Sequence, residues 1–122
     1  MANEIIEGNK LIAEFMGWSK SPYEHLPNKM YKDDKGIHVD QLKYNSSWDW
    51  LMPVVEKVEE FGYPTLVKSD YYRKKLDYEV CIFQKGTGEL LIENDFGGQT
   101  KIMTTWRAVV EFIRWYNQNK EN

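Results

Sequence analysis

The sequence predicts an α+β fold: three helices packed on a short antiparallel sheet of about three strands, in a single domain over 1–122. Three observations carry this. Apolar residues recur with a helical period in three separate stretches, and a shorter run that alternates apolar and polar residues is followed, across a glycine-rich turn, by a second short apolar run. A chain of 122 residues is also long enough to bury one core of ordinary size without staples.

The first helix is expected over 3–16. Ile5, Ile12 and Met16 share a stripe that Leu11 and Phe15 widen, while Glu7, Lys10 and Glu14 face water. Gly17 stands where a left-handed cap belongs, and Gly8 costs about 1 kcal/mol of helix propensity. From 18 to 45 the pattern weakens. Pro22 and Pro27 interrupt any helix, and Lys32-Asp33-Asp34-Lys35-Gly36 reads as a tight turn. A hairpin pairing 29–32 with 37–40 would have few apolar residues to bury.

The second helix starts at Ser46, whose hydroxyl caps the free amides, with Asp49 completing a variant capping box. Leu51, Val54, Val55, Val58 and Phe61 form its buried stripe, with Glu56, Lys57, Glu59 and Glu60 outside. Pro53 bends its start, and Gly62 and Pro64 end it. Three strands follow, over 65–69, 77–84 and 89–93. The middle one sets Tyr78, Val80 and Ile82 on one face and Asp77, Glu79 and Cys81 on the other, and Lys85-Gly86-Thr87-Gly88 turns the hairpin. Asn94-Asp95-Phe96-Gly97-Gly98 is a further turn. The last helix runs from Lys101 to Asn119, capped by Thr100. Ile102, Trp106, Val109, Val110, Ile113 and Tyr116 line one side, Phe112 and Trp115 widen it, and Arg107 and Glu111 make an i,i+4 pair. So much apolar surface places this helix centrally, on the sheet.

Charge and composition narrow the function classes. Sixteen basic and nineteen acidic residues leave a net charge of −3, which argues against a dedicated nucleic-acid coat. No apolar run approaches the ~20 residues of a membrane span, and the start of the chain lacks the basic-then-apolar pattern of a secretory signal. The single Cys81 cannot form an internal disulfide, which points to a reducing cytoplasm. Five Trp, eight Tyr and five Phe are many rings for a small interior, so some are expected on the surface as binding anchors.

A metal site would draw on His25, His38 and Cys81 with Glu24, Asp33, Asp34 or Asp40. Their spacing pairs no ligands as zinc requires, so polar residues in contact with water are the better reading and neither a metal nor a cofactor is expected. A nucleophile would be Cys81 or a serine with His25 or His38 as base. No local signature supports it, Cys81 reads as a small buried apolar residue, and the chain is not expected to be an enzyme. Lys85-Gly86-Thr87-Gly88 and Asp95-Phe96-Gly97-Gly98 lack the spacing and context of phosphate loops. Trp48 and Trp50 point roughly 200° apart on a helix, so one enters the core and the other is left as an anchor. In Tyr71-Tyr72-Arg73-Lys74-Lys75, rings and cations suit single-stranded nucleic acid or an acidic groove on a protein. Nine basic and eight acidic residues over 63–122 give that patch little support, so an ordinary solvated turn is the plainer reading. The candidate binding set is therefore Trp48, Trp50, Tyr71, Tyr72, Arg73, Lys74 and Lys75.

Three blocks resemble a group of short proteins of phages, prophages and mobile elements of Bacteroidetes-type bacteria: Asn9-Lys10-Leu11-Ile12-Ala13-Glu14-Phe15-Met16-Gly17, Ser46-Ser47-Trp48-Asp49-Trp50-Leu51-Met52-Pro53-Val54-Val55-Glu56-Lys57 and Ala108-Val109-Val110-Glu111-Phe112-Ile113-Arg114-Trp115-Tyr116-Asn117. The likeness covers the helices, about a third of the chain, and carries over no catalytic residue. By analogy it implies an inhibitor of a bacterial defence effector, anti-CRISPR-like, acting in the host-cell cytoplasm on an RNA-guided nuclease or its guide-RNA complex. Nucleic acid would then be met through the effector, no membrane is involved, and a homodimer through exposed aromatics is open. The alternative is a domain that sequesters a nucleotide signal, stacking the base on rings while Arg73 and Lys74 hold phosphate. A hydrolase using His25 or His38 is a third reading.

Overall fold

The computed structural model describes residues 2–23, 25–72, 74–95 and 100–120. Their order is α1 (Ala2–Phe15), β1 (Ser19–Lys20), β2 (Lys29–Lys32), β3 (Lys35–His38), a 3-10 turn (Val39–Gln41), α2 (Trp48–Glu60), β4 (Thr65–Tyr72), β5 (Lys75–Phe83), β6 (Leu90–Asn94) and α3 (Lys101–Asn119). The class is the expected α+β, but the strands form two antiparallel three-stranded sheets rather than one, ordered β1-β2-β3 and β4-β5-β6.

Helix α3 organises the rest. Its apolar side rests on β5 and β6, and α1 and α2 both pack against it. Trp106, Val109, Phe112 and Ile113 are buried there with Val80 and Ile82 of β5, Ile12 of α1 and Leu51, Val54 and Val58 of α2. Thr100 caps α3 by accepting from the Met103 amide at 3.2 Å. Arg107 reaches across to Glu4 on α1, and among the described residues the expected ion pair with Glu111 does not form.

The weakly patterned segment contributes more to the core than expected. Met30, Val39, Leu42 and Tyr44 are all buried. Their apolar positions are scattered among lysines and aspartates, because a two-residue hairpin and a 3-10 turn expose most of what lies between. Lys32 pairs with Lys35, so β3 begins earlier than expected, and Asp33 adopts φ 58° in the turn. Burial raises the pKa of the Tyr44 hydroxyl, and a hydrogen bond with Trp18 partly offsets that rise.

Two local expectations need correction. Ser47, not Ser46, is the N-cap of α2, and its side chain makes no capping bond. The amides of both serines bond the Lys43 carbonyl at 3.1 and 2.9 Å, which closes a turn before the helix and leaves Ser46 outside it. Lys57, expected in solvent, is half-buried: its ammonium donates to the Phe15 carbonyl at the end of α1 and lies 4.9 Å from the Phe15 ring centre.

Glycines confirm the turns. Gly17 and Gly62 end α1 and α2 at φ 100° and 103°, and Gly86 and Gly88 turn β5 into β6 at positive φ. Asn94, expected in a turn, instead closes β6; Phe96, Gly97 and Gly98 lie outside the described residues.

Candidate partner-binding surface

The strands around the expected basic turn are longer than the sequence suggests. Strand β4 runs eight residues and β5 nine, and they remain paired out to Tyr72 opposite Lys75. Tyr71, Tyr72 and Lys75 are therefore strand residues, not loop residues. Only two positions, 73 and 74, connect the strands. Lys74 takes φ 65°, the left-handed conformation that such a short hairpin demands and that a lysine adopts only at a cost. Arg73 lies outside the described residues, as does the side chain of Tyr72.

The pairing assigns faces. Opposed residues project to the same side, so Val67–Val80, Ser69–Tyr78 and Tyr71–Leu76 continue the helix-covered face, while Leu66–Cys81, Lys68–Glu79 and Asp70–Asp77 form the other. Val80 and Ile82 are fully buried under α3. Toward the turn this cover ends: Tyr71 is 70% exposed and Leu76 51% exposed. The arm thus presents an aromatic–aliphatic pair on one face, with Lys74 and Lys75 exposed at its end.

Other sequence-selected residues separate. Trp48 keeps 36% exposure at the start of α2, whereas Trp50 turns inward and meets Tyr44 edge-on at 5.2 Å between ring centres. The two therefore divide as helical spacing requires. Trp50 also lines, with Trp18 and Ile37, an open apolar depression on the β3 side of the fold. Most other aromatics pack internally. Phe15, Phe61, Phe112 and Tyr116 form one ring cluster, and Tyr63 and Trp115 extend it through Phe112. Among described aromatic residues, Tyr23, Trp48 and Tyr71 stand out as exposed.

The open sheet face carries a polar cluster that sequence inspection missed. Ligand-type atoms of Glu79, Cys81 and Glu93 lie within 4.8 Å of one another, brought together by alternate positions on β5 and one on β6. Lys68 bonds Glu79 at 2.7 Å, which raises the lysine pKa. Burial, then the charges of Glu79 and Glu93, push the Cys81 thiol up, so it stays protonated and weakly nucleophilic at neutral pH. Cys81 is on the second sheet and His38 at the end of the first, where its Nδ1 is 2.7 Å from Asp40. His25 sits instead against the Tyr23 ring.

A further cavity of about 150 Å³ opens between α1 and α3, lined by Glu4, Asn94, Trp106, Arg107 and Arg114. Among the described residues the Asn94 Oδ1 is buried there without a hydrogen-bond partner. That volume lies below the roughly 300–1,000 Å³ of sites that enclose drug-sized ligands. Among the described residues no helix is long and apolar enough to cross a membrane. Comparison with protein-family models, with curated proteins and with solved structures finds no match to this chain.

Proposed function

We propose that this chain is a non-enzymatic binding protein that docks through the end of the β4–β5 arm. The partner in this reading is a bacterial defence effector, an RNA-guided nuclease or its guide-RNA complex, blocked sterically in the manner of an anti-CRISPR within the host-cell cytoplasm. One observation carries the docking part: Tyr71 and Leu76 face each other, exposed, where the helices no longer cover the sheet. An exposed ring with adjacent cations suits a partner groove that is apolar at its centre and acidic, or lined by phosphate, at its rim. Trp48 offers a second anchor. The choice of effector rests on the resemblance of the helical blocks to short phage and mobile-element proteins.

The nucleotide-sequestering alternative fits the geometry less well, because Lys74 stands on a convex turn rather than in a cleft. The test is target cleavage by purified RNA-guided nucleases with the full chain added in stoichiometric excess. The proposal expects cleavage to fall for at least one nuclease and to recover with Tyr71→Ala or Lys74→Glu. If every nuclease tested stays active and none binds the chain, this choice of effector is wrong.

A further inference from the structure

Strand β4 is a free edge of its sheet: β5 pairs with one side, and no strand pairs with the other among the described residues. Eight residues is long for an unprotected edge, and natural proteins usually blunt such edges or pair them. Which of its main-chain groups are free follows from the register. The Phe83 amide donates to the Pro64 carbonyl at 2.9 Å, so Pro64 is a hydrogen-bonded position. Antiparallel pairing alternates, so the even-numbered residues turn their amides and carbonyls toward β5. Thr65, Val67, Ser69 and Tyr71 turn theirs outward.

The side chains along this edge complement a copy of themselves. Place a second β4 antiparallel to the first, with Ser69 opposite Ser69. Lys68 then faces Asp70 of the other copy, twice by symmetry, and Val67 faces Tyr71, also twice. Every opposed pair keeps its face, because a register centred on a residue matches even positions with even and odd with odd. The outward amides and carbonyls of Val67, Ser69 and Tyr71 meet their counterparts in the hydrogen-bonded phase of the ladder. Asp70 gains most from this arrangement. Within one chain it stands directly opposite Asp77, a like-charge pairing that disfavours the sheet. Lys68 of its own chain acts on Asp70 from the same face, and a lysine arriving on the other side adds a second cation. The exposed Tyr71 ring also acquires a β-branched neighbour in Val67, a favourable cross-strand pair.

We infer that β4 pairs with β4 of a second copy of this chain, antiparallel about a two-fold axis at Ser69, joining the two β4-β5-β6 sheets into one of six strands. The interface is isologous and closes on itself, so it yields a dimer and leaves β6 as the outer edge of each half. It does not depend on the identity of any other partner. Lys74 and Lys75 lie beyond the paired Val67–Tyr71 stretch, so replacing them reports on partner binding and not on this contact.

Charge reversal tests the register. Lys68→Asp sets carboxylate against carboxylate at both symmetric contacts, and Asp70→Lys sets ammonium against ammonium, so each variant alone repels itself. Mixed together, the two variants restore opposite charges at both contacts. By light scattering after size exclusion, the unaltered chain is expected at about twice 14.5 kDa. Each single variant is expected to be roughly tenfold or more weaker in self-association, and the mixture to regain it. Lys68→Asp also removes the ion pair with Glu79, so Ser69→Pro provides a separate check. It deletes an outward amide that β5 does not use, and it is expected to give a folded monomer by circular dichroism. An unaltered chain that stays monomeric at every concentration overturns the inference. So does a dimer indifferent to Asp70→Lys and Ser69→Pro, or a mixture of two folded single variants that fails to re-associate. Protection of β4 amides that appears only when another protein's strand is added also counts against it.

Discussion

The indole Nε1 of Trp106 donates a hydrogen bond of 2.8 Å to the Oδ1 of Asn9, joining α3 to α1 across 97 positions of sequence. The Asn9 amide then donates to the Leu42 carbonyl at 3.2 Å and to the Asn45 Oδ1 at 2.9 Å. One buried side chain therefore ties together two helices and the irregular segment that precedes α2. Asn9→Ala strands the indole N–H and the Leu42 carbonyl in the interior. The expected cost is about 2–4 kcal/mol, because each buried polar group left unpaired costs about 1–3 kcal/mol. Urea denaturation monitored by Trp fluorescence measures it, and a loss under about 1 kcal/mol would show that Asn9 is not the junction described here.

The same tryptophan explains the glycine inside α1. A methyl group at Gly8 would lie 2.3 Å from the Trp106 Cζ2, closer than side-chain carbons can approach. Helix propensity alone favours Gly8→Ala by about 1 kcal/mol. Overpacking a closed core opposes it by about 1–3 kcal/mol. The clash is expected to win, and Gly8→Ala should lower the thermal midpoint. A raised midpoint would mean that the α1–α3 contact opens readily.

At the end of the arm the sign reverses. Lys74 holds a left-handed conformation that costs a side-chain-bearing residue roughly 1–2 kcal/mol. Lys74→Gly is expected to stabilise the fold by up to about 1 kcal/mol, since glycine's freedom in the unfolded chain takes back part of the relief. Lys74→Glu is expected to leave stability within about 0.5 kcal/mol while abolishing partner capture. A Lys74→Glu variant that binds its partner normally would remove this lysine from the binding surface.

Cys81 links the sheet to pH. Its folded pKa is raised by burial and then by the negative charges of Glu79 and Glu93, so the folded state holds its proton longer than the unfolded chain does. That contribution is fully present below the unfolded value of about 8.5 and is lost as pH rises through the folded value. Stability should therefore decline above about pH 8.5, and Cys81→Ala should flatten the first part of the decline. Alkylation by iodoacetamide should be slow at about pH 7.5 and faster in Glu93→Gln. Alkylation as fast as that of a small free thiol would show that Cys81 is neither shielded nor raised.

Helical content was legible because amphipathic periodicity is a local property. The stripes through Ile12, Leu51, Val54, Val58, Val109 and Ile113 all reach the core. The first sheet was harder to read because its buried residues, Met30 and the following Val39, are isolated among lysines and aspartates and never form an alternating run. The outer half of the β4–β5 arm gave little signal for a related reason. Lys68, Ser69, Asp70 and Asp77 are polar, and that stretch is held by hairpin register rather than by a buried face.

Local chemistry in the sequence alone thus determined the class, the three helices, the glycine ends of α1 and α2 and the opposed directions of Trp48 and Trp50. Those features depend on residues a few positions apart, where spacing and backbone preference act directly. Tertiary structure decided the division into two sheets, the Asn9–Trp106 junction, the meeting of Glu79, Cys81 and Glu93, and the open edge of β4. Each of these depends on which distant segments are neighbours, and that is set by burying apolar surface across the whole chain.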